Sequence, residues 1–482
     1  MKRIPAALLL LSMLLSLAAC GDSEAQKENT SAADTTVQTE VPAETELKDN
    51  VPVLDFGGDS MTFATMEMYK YEMDVEESTG EITNDAVYNR NLLMEDRFNV
   101  VIDMVVQPER DEQTAFLRSS ILANDNAFDV GAHFVYLAGN LVLENLFLDW
   151  MEIPHVELHQ PWWVTEINNA FTINNRLYSP VSDLCITHMQ LSYIYLFNHQ
   201  LAQDYNTEDL YTVVDEGRWT LDYMYDLTTS VYQDTDGNGK ANNQDVYGLV
   251  TDKITSIDCY FPASEQPTLQ ETDTGLEVVV GTERAVNIYE KVYKLFYENT
   301  GTFVIPDYES KHAMFLNNQA LLMPIRLVKL FSEMREMEVD YGILPFPKYD
   351  EAQQKYYNSC LDNYSVLLVP NNVENREMVG ALVEAMSFES MKSVMPAFYE
   401  SALQGKYTRD EQSVRMLDLI MDSHTFDVSI LYGSFFTTGT LSYILRNTIS
   451  SKKPYVSNYE TYKDAYSEQA QKLYESLKAL GE

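Results

Sequence analysis

Short apolar runs alternate with segments of helical period early in the chain, and this alternation constrains the fold more than any other feature. The patterns of SMTFATM, VVIDMVV and FDVGAHF predict strands, and NDAVYNRNLLMEDRFN and QTAFLRSSILAND between them predict helices. Two strands joined by a helix pair in parallel, because the helix carries the chain back along the sheet. The sequence therefore predicts an α/β protein of mostly parallel sheets flanked by helices, and 482 residues suffice for two or three domains.

The charge of the chain excludes several classes of partner. It has 33 Lys and Arg residues against 74 Asp and Glu residues, which gives a formal net charge of −41. Such a chain repels nucleic acid and anionic membrane surfaces, so neither is predicted as a partner. The same excess disfavours a strongly anionic ligand, although a local basic pocket would override the net field.

The beginning of the chain has the arrangement of an export signal. Lys2 and Arg3 precede an apolar run that is too short for a membrane-spanning helix, and LAAC ends this segment at Cys20. LAAC resembles the lipobox of bacterial lipoproteins, in which the Cys is lipidated. The alternative is an ordinary signal peptide with a Cys there by chance. Residues 21–52 lack aromatic side chains and are predicted to form a disordered tether. We expect an exported protein, attached to the outer face of the cytoplasmic membrane through a lipid anchor only.

Three further cysteines, Cys185, Cys259 and Cys360, are scattered through the rest of the chain. An odd number argues against a fully paired disulfide framework. We therefore predict that they are small core residues.

Residues 234–245, DTDGNGKANNQD, place oxygen-bearing groups at the spacing of a calcium-binding loop, with Gly239 at the sharp turn. The predicted Ca²⁺ ligands are Asp234, Asp236, Asn238, the main-chain carbonyl of Lys240, Asn242 and Asp245. A strand is predicted after the loop instead of the second helix of an EF-hand. This favours a static, structural calcium site over a calcium switch. The alternative is a polar surface turn without metal.

No catalytic motif accompanies this loop. The sequence contains no GxSxG elbow, no Walker loop and no GxGxxG after a strand. The i, i+4 pair His155 and His159 lies between two prolines and lacks the HExxH order of zinc proteases. Two carboxylates suffice for a glycosidase, but among 74 acidic residues a pair means little without geometry. The sequence predicts a protein that is not an enzyme.

Several blocks of the folded part resemble one protein family. FDVGAHFVYLAGNLVLENLFLDW, PWWVTEINNAFTINNRLYSPVSD, LYTVVDEGRWTLDYMYDLT and YGILPFPKYD are similar, in this order, to segments of the carbohydrate-binding family 1 extracellular solute-binding proteins of bacterial ABC importers. The resemblance covers nearly the whole folded chain. It implies a two-lobe clamp of the type II periplasmic-binding-protein-like fold. Residues 53–182 and 315–366 would form lobe one, and residues 186–312 and 370–482 would form lobe two.

The same resemblance implies a function. The chain would capture a carbohydrate such as an oligosaccharide between its lobes and deliver it to ABC transporter permease subunits, acting as a monomer without catalysis. Aromatic side chains would stack on sugar rings while polar side chains bind the hydroxyls. By their positions in the matching blocks, the implied ligand-binding residues are His133, Phe134, Tyr136, Asp183, His188, Tyr260, Tyr432 and Phe435. The alternative for each aromatic residue is core packing. Two other functions stay open: a surface-anchored, calcium-dependent glycoside hydrolase or lyase, and a glycan-binding adhesin without a transporter.

Overall fold

The computed structural model describes residues 47–254, 256–306, 310–334, 337–403, 411–437 and 441–480. The predicted signal peptide, Cys20 and most of the predicted tether lie outside the described residues. From Asp49 onward the described part forms one compact unit. A search of its helices finds none that combines the length and the apolar character needed to cross a membrane.

Two β-sheets organise this unit. The strands are β1 (Asp59–Met66), β2 (Val100–Gln107), β3 (Val130–Phe134), β4 (Tyr193–Asn198), β5 (Tyr232–Gln233), β6 (Val246–Asp252), β7 (Leu269–Thr272), β8 (Gly275–Val278), β9 (Thr302–Ile305), β10 (Ala320–Arg326), β11 (Tyr341–Leu344) and β12 (Ser365–Leu368). The smaller sheet has the order β12-β3-β1-β2. The larger has the order β11-β4-β10-β6-β5, with β9 also paired to β6, and β7 and β8 form a hairpin.

Helices flank both sheets. They are α1 (Lys70–Met73), α2 (Ile82–Phe98), α3 (Arg110–Ala123), α4 (Val135–Val142), α5 (Thr165–Phe171), α6 (Thr187–Gln190), α7 (His199–Asp204), α8 (Leu210–Asp215), α9 (Leu221–Thr229), α10 (Tyr260–Ala263), α11 (Glu283–Tyr297), α12 (Ser310–Leu316), α13 (Lys329–Ser332), α14 (Arg376–Glu389), α15 (Met395–Leu403), α16 (Glu411–Met421), α17 (Val428–Leu431), α18 (Ile444–Ser451) and α19 (Tyr455–Ala479). Below, lobe one means the smaller sheet with its helices, and lobe two means the larger sheet with its helices.

The smaller sheet confirms the strand–helix alternation predicted from the sequence. β1 pairs in parallel with β2 and with β3, and α2 and α3 connect these strands. Helix α2 buries Val87, Met94 and Phe98, and it ends at Asn99, whose φ of 50° lies in the left-handed region. The α/β fold class and the three predicted strands are therefore confirmed.

The larger sheet is mixed, so the prediction of mostly parallel sheets is wrong for this lobe. β6 pairs in parallel with β9 and β10, whereas β4, β5 and β11 pair antiparallel with their neighbours. The reason lies in the route of the chain. It arrives from lobe one at the edge where β10 ends, so Tyr193 at the start of β4 lies opposite Arg326.

The predicted boundary between the lobes also differs from the observed pairing. Residues 315–366, which were assigned to lobe one, contain β10 and β11, and both strands pair in the larger sheet. Only β12 of that range joins β3, because the chain returns to lobe one after β11. The range 370–482 is divided as well: α14 packs against α2 of lobe one, whereas α19 packs against β8 of lobe two. The chain thus passes between the sheets more than once.

The cores of both lobes are aromatic and well buried. Trp150, Trp162, Trp163 and Trp219 are completely buried. Glu384 of α14 accepts hydrogen bonds from the indole nitrogens of Trp162 and Trp163, each at 2.9 Å. Cys185, Cys259 and Cys360 are free and buried, which confirms their prediction as core residues.

Candidate functional site

The carboxyl ends of the parallel strands of both sheets meet at one place in the fold. Ligands of open α/β sheets bind beyond the carboxyl ends of the strands, so this place is the candidate site. β12 and β4 begin here, since Ser365 lies opposite Phe134 and Tyr193 lies opposite Arg326. The side chains gathered here, called the junction cluster below, are Tyr69, Arg110, Phe134, Tyr136, Asp258, Arg326, Asp362, Asn363, Tyr443 and Arg446.

An aromatic contact joins the two lobes at this point. Tyr136 lies in α4 of lobe one, and Tyr443 immediately precedes α18 of lobe two. Their rings stack with centroids 5.6 Å apart and an interplanar angle of 12°. Phe134 lies 6.2 Å from Tyr136 and packs with Met66 and Tyr69 in a small apolar cluster. The half-buried faces of such rings are surfaces on which a sugar ring stacks.

A chain of hydrogen bonds accompanies the aromatic contact. The hydroxyl of Tyr443 donates to the carboxylate of Asp362, and the hydroxyl of Tyr69 donates to the main-chain carbonyl of Asn363. With its amide oxygen turned toward Arg326, Asn363 accepts from both terminal guanidinium nitrogens, at 3.1 and 3.3 Å. The bonds therefore link the end of β1 with the end of β10.

Arg446 provides a charged group beside the stacked rings. Its guanidinium carbon lies 4.2 Å from the centroid of the Tyr443 ring, and a terminal nitrogen pairs with the carboxylate of Asp258. Burial lowers the pKa of Arg446 to about 10. Burial, followed by the Asp362 charge, raises the pKa of Tyr136 and of Tyr443, so both hydroxyls are neutral donors near neutral pH.

Of the residues implied by the family resemblance, Phe134, Tyr136 and Tyr432 lie together. The turn after α17 is pressed against Tyr136: a Cβ on Gly433 would lie 2.1 Å from Cε2 of that ring. A Cβ on Gly139 of α4 would likewise lie 2.6 Å from Cδ1 of Tyr432. Tyr432 itself is buried, where it packs against α4 at Gly139.

His133 points away from the junction cluster, although it precedes Phe134. Successive side chains of a strand face opposite sides of the sheet. The two ring nitrogens of His133 lie 2.8 Å from Oε1 of Gln113 and 3.1 Å from Oγ1 of Thr114, both on α3. Burial lowers the pKa of His133 to about 3, so the ring is neutral. The structure places it in the core of lobe one.

The remaining implied residues lie outside the junction cluster. Asp183 and His188 are buried in the segment that leads from lobe one to β4, where Nδ1 of His188 lies 2.6 Å from the carbonyl oxygen of Cys185. The hydroxyl of Tyr260 lies 2.6 Å from that of Tyr195 inside lobe two. Phe435 is half-buried and packs edge-on against Phe436. A ligand-binding role for these residues stays a prediction.

Most members of the junction cluster were missed in the sequence. Arg326 carried a usable signal, because it ends the apolar run ALLMPI and so places a cation at the carboxyl end of a buried strand. Tyr443 and Arg446 carried none, since apart from each other the partners they contact, Tyr136, Asp362 and Asp258, lie far away in the chain.

A cavity borders the junction cluster next to Asp258. It is partly open to solvent, and Leu361, Tyr364 and Ser442 line it. Asp427 lies on its wall, where its carboxylate accepts hydrogen bonds from the amide and the hydroxyl of Thr268. Burial raises the pKa of Asp427. The space next to the Asp258–Arg446 pair is thus polar on one side and apolar on the other.

The loop at residues 234–245 is closed at its base by pairing of β5 with β6, Tyr232 opposite Tyr247. The strand predicted after the loop is therefore present. Carboxylate oxygens of Asp234, Asp236 and Asp245 lie within 4.8 Å of one another. Among the described residues, this is the one group of three or more acidic, His or Cys side chains close enough to share a metal ion.

The donor set of this loop fits calcium chemistry. Nδ2 of Asn242 donates to the Asp236 carboxylate at 3.1 Å and to the carbonyl oxygen of Lys240 at 3.0 Å. Amide groups hold the loop in shape: Asp234 accepts from Gly237 and Gly239, both at 2.8 Å. Three carboxylates close to one another are hard oxygen ligands of the kind that Ca²⁺ prefers.

Comparison with known proteins identifies the fold. No family model and no curated protein matches this chain. Among solved structures, a cyclo/maltodextrin-binding protein complexed with maltotetraose aligns with a TM-score of 0.59 and 11% identity, over 86% of this chain and 98% of that chain. The galacto-N-biose-/lacto-N-biose I-binding protein of the ABC transporter from Bifidobacterium longum, in complex with lacto-N-biose, aligns with a TM-score of 0.59 and 9% identity, over 87% and 98%.

An ABC substrate-binding protein from Listeria monocytogenes, in complex with cycloalternan, aligns with a TM-score of 0.54 and 10% identity, over 85% of this chain and 98% of that chain. The chain therefore has the two-lobe α/β fold of ABC substrate-binding proteins. The particular proteins it is similar to are carbohydrate-binding members of that class.

Proposed function

We propose that this protein is the carbohydrate-binding component of an ABC importer and binds an oligosaccharide at the junction cluster. The observation that carries the proposal is the meeting of both lobes at the carboxyl ends of their parallel strands, where half-buried tyrosines lie beside polar side chains. Sugars have apolar ring faces and polar rims, so a site for them needs both kinds of group. The similar solved structures were obtained with oligosaccharides bound.

Binding would close the lobes around the sugar. The chain connects the sheets between β3 and β4 and again between β11 and β12, which are the positions of hinges in a two-lobe clamp. A ligand that contacts Tyr136 and Tyr443 touches both lobes, so it stabilises the closed state more than the open one. The protein would release the sugar unaltered to the permease subunits.

The export features of the sequence complete the proposal. Lipidation of Cys20 would hold the protein at the outer face of the membrane, with residues 21–52 as a tether. Mass spectrometry of the protein purified from a Gram-positive host should show a diacylglycerol-modified N-terminus at Cys20, and Cys20→Ser should release the protein into the medium. Retention of the Ser variant at the membrane would contradict the anchor.

Direct binding tests the main proposal. The full chain with Cys20→Ser should gain thermal stability with at least one oligosaccharide of a neutral and acidic panel, and the radius of gyration in solution scattering should fall. Tyr136→Ala or Tyr443→Ala should weaken that binding about tenfold or more, because each removes a stacking surface. Tyr293→Ala is the matched control, since Tyr293 is half-buried on α11 and contacts Tyr289 and Tyr297 of the same helix.

Two results would favour the other functions. Release of reducing ends or unsaturated products from a bound glycan would identify a hydrolase or lyase. Tight binding to a polysaccharide without any stabilisation by the oligosaccharides of the panel would favour an adhesin.

A further inference from the structure

We propose that the junction cluster contains an anion-binding subsite built on Arg446 with Arg326 and Arg110, so that the ligand is an acidic saccharide carrying carboxylate or sulfate groups. The inference rests on the proposed carbohydrate-binding function and specifies its substrate class. It runs against the net charge of the chain, so its support lies in local geometry.

Arg446 is the centre of this subsite. Its side chain retains 18% of its exposure while that of Asp258 retains 3%, and the two form an ion pair. The pair is only partly satisfied: Nε of Arg446 and Oδ1 of Asp258 are buried and have no hydrogen-bond partner among the described residues. A buried polar atom without a partner destabilises the protein, so both atoms favour a ligand that forms hydrogen bonds with them.

The two unpartnered atoms differ in kind, and this difference defines the ligand. Nε of Arg446 is a donor that needs an acceptor, and a guanidinium binds carboxylate or sulfate oxygens through parallel hydrogen bonds. Oδ1 of Asp258 is an acceptor that needs a donor such as a hydroxyl. A simple inorganic anion supplies only the acceptor for Nε of Arg446. A neutral sugar supplies no negative charge for this guanidinium. An acidic sugar supplies both.

The other arginines extend the positive region across both lobes. Arg326 ends β10, where Asn363 and the hydroxyl of Tyr193, 3.2 Å from Nε, orient its guanidinium. Arg110 begins α3 beyond the carboxyl end of β2, lies 5.4 Å over the Phe134 ring and is 58% exposed. Its neighbour Asp111 lies 3.9 Å away and is 84% exposed.

The charge of the junction cluster contrasts with that of the whole chain. The cluster holds three arginines against the carboxylates of Asp258 and Asp362, and Asp362 already accepts the hydroxyl of Tyr443. The full sequence carries a net charge of −41. Cations concentrated at the meeting point of two lobes, in so acidic a chain, attract an anionic group to that point.

Paired oligosaccharides test the inference. The members of each pair differ only in the acidic group. The pairs are galactose with galacturonate oligomers, mannose with mannuronate oligomers, and each neutral oligomer with its sulfated form. Calorimetry with the Cys20→Ser chain should show at least tenfold tighter binding of the acidic member of one pair, with affinity that falls as salt rises.

A uronate or a sulfated oligomer as the tighter ligand identifies which anion the subsite takes. Binding of neutral members only would overturn the inference and leave the proposed function standing. No binding by any member would overturn both.

Substitutions separate a role in anion recognition from a merely structural one. Arg446→Gln should lower the affinity for the acidic member at least tenfold while the affinity for a neutral member changes less than threefold. Arg446→Lys should restore part of the loss, because it keeps the charge without the planar guanidinium. Arg415→Gln is the matched control, since Arg415 of α16 pairs with Asp215 of α8 at the surface. Equal losses for both members would show a structural role and overturn the inference.

Should Arg446→Gln fail to fold, the exposed Arg110→Gln should still reduce the acidic-to-neutral affinity ratio, and an unchanged ratio would count against the subsite.

Discussion

The junction cluster and the loop at residues 234–245 are both polar sites, but they are assembled in different ways. The loop takes its carboxylates from one short stretch of chain, and amide groups of the same stretch hold them in place. The junction cluster takes its members from Tyr69 near the beginning of the folded part to Arg446 near its end. The first site is determined by local spacing, and the second by the way two sheets meet.

This difference has a physical consequence for stability. The loop at residues 234–245 is held by contacts within its own turn. Its unfolding therefore affects only this segment of lobe two. An assembled site depends on every segment that reaches it, and on the buried polar groups that join those segments. Disturbing the junction should therefore change the whole molecule more than disturbing the loop.

The largest effect is expected at Glu72, which lies in α1 just behind the junction. Its two carboxylate oxygens accept from Oγ of Ser365 at 3.2 and 3.0 Å, and one also accepts from the amide of Thr187 at 3.3 Å. These bonds join α1 of lobe one to the segment that leads to β4 and to the first residue of β12. Burial raises the pKa of Glu72 to about 8, and the charge of Arg90 opposes this shift only in part.

The sign of the pH dependence follows from that raised pKa. The folded protein holds the Glu72 proton more tightly than the unfolded chain, so the stabilising contribution is complete below pH 4.5 and is lost as pH rises through 8. At about 1.4 kcal/mol per pKa unit, the loss between these two pKa values is on the order of 5 kcal/mol. Urea unfolding at pH 5 and pH 8.5 should show Glu72→Gln losing less stability than the unchanged chain. The exposed Glu76→Gln variant should lose as much stability between these pH values as the unchanged chain. An equal loss in the unchanged chain and in both variants would refute the prediction.

A smaller effect is expected when calcium is removed from the loop. Calcium at 100 times its Kd would stabilise the folded state by about 2.7 kcal/mol, so EDTA should lower the Tm by a few degrees. Asp234→Ala should abolish this sensitivity, because it removes one of the three clustered carboxylates. Oligosaccharide affinity should not change, since the loop is a separate structure. If EDTA does not change the Tm of the unchanged chain, the prediction of a structural calcium site is refuted.

The smallest effect is expected at the helix that leads into the loop. Thr220 caps α9, and its hydroxyl accepts from the amide of Tyr223 at 3.2 Å. Thr220→Ala should cost about 1 kcal/mol in the free energy of unfolding. Thr229→Ala, at the exposed end of the same helix, is the control and should cost little. A similar cost for the two variants would show that the cap does not stabilise the helix locally.

The sequence predicted the parts of the fold that depend on neighbouring residues. The three strands of lobe one, the helices between them and the strand after the loop are found where the local pattern predicted them. The division of residues 315–366 was wrong, because an apolar strand such as ALLMPIR fits the interior of either sheet. Which sheet it joins depends on pairing partners that are distant in the chain.

By itself, the sequence determined an acidic α/β chain, and it predicted an export signal and a calcium-binding loop, because these predictions depend on residues close together in the chain. Only the tertiary structure decided that His133 turns into a core, while Phe134 packs near Tyr136 and Tyr136 stacks on Tyr443 of the other lobe. Only the fold brought the arginines together as well. The physical reason is that a strand fixes which of its side chains share a face, whereas the meeting of two sheets fixes what that face contacts.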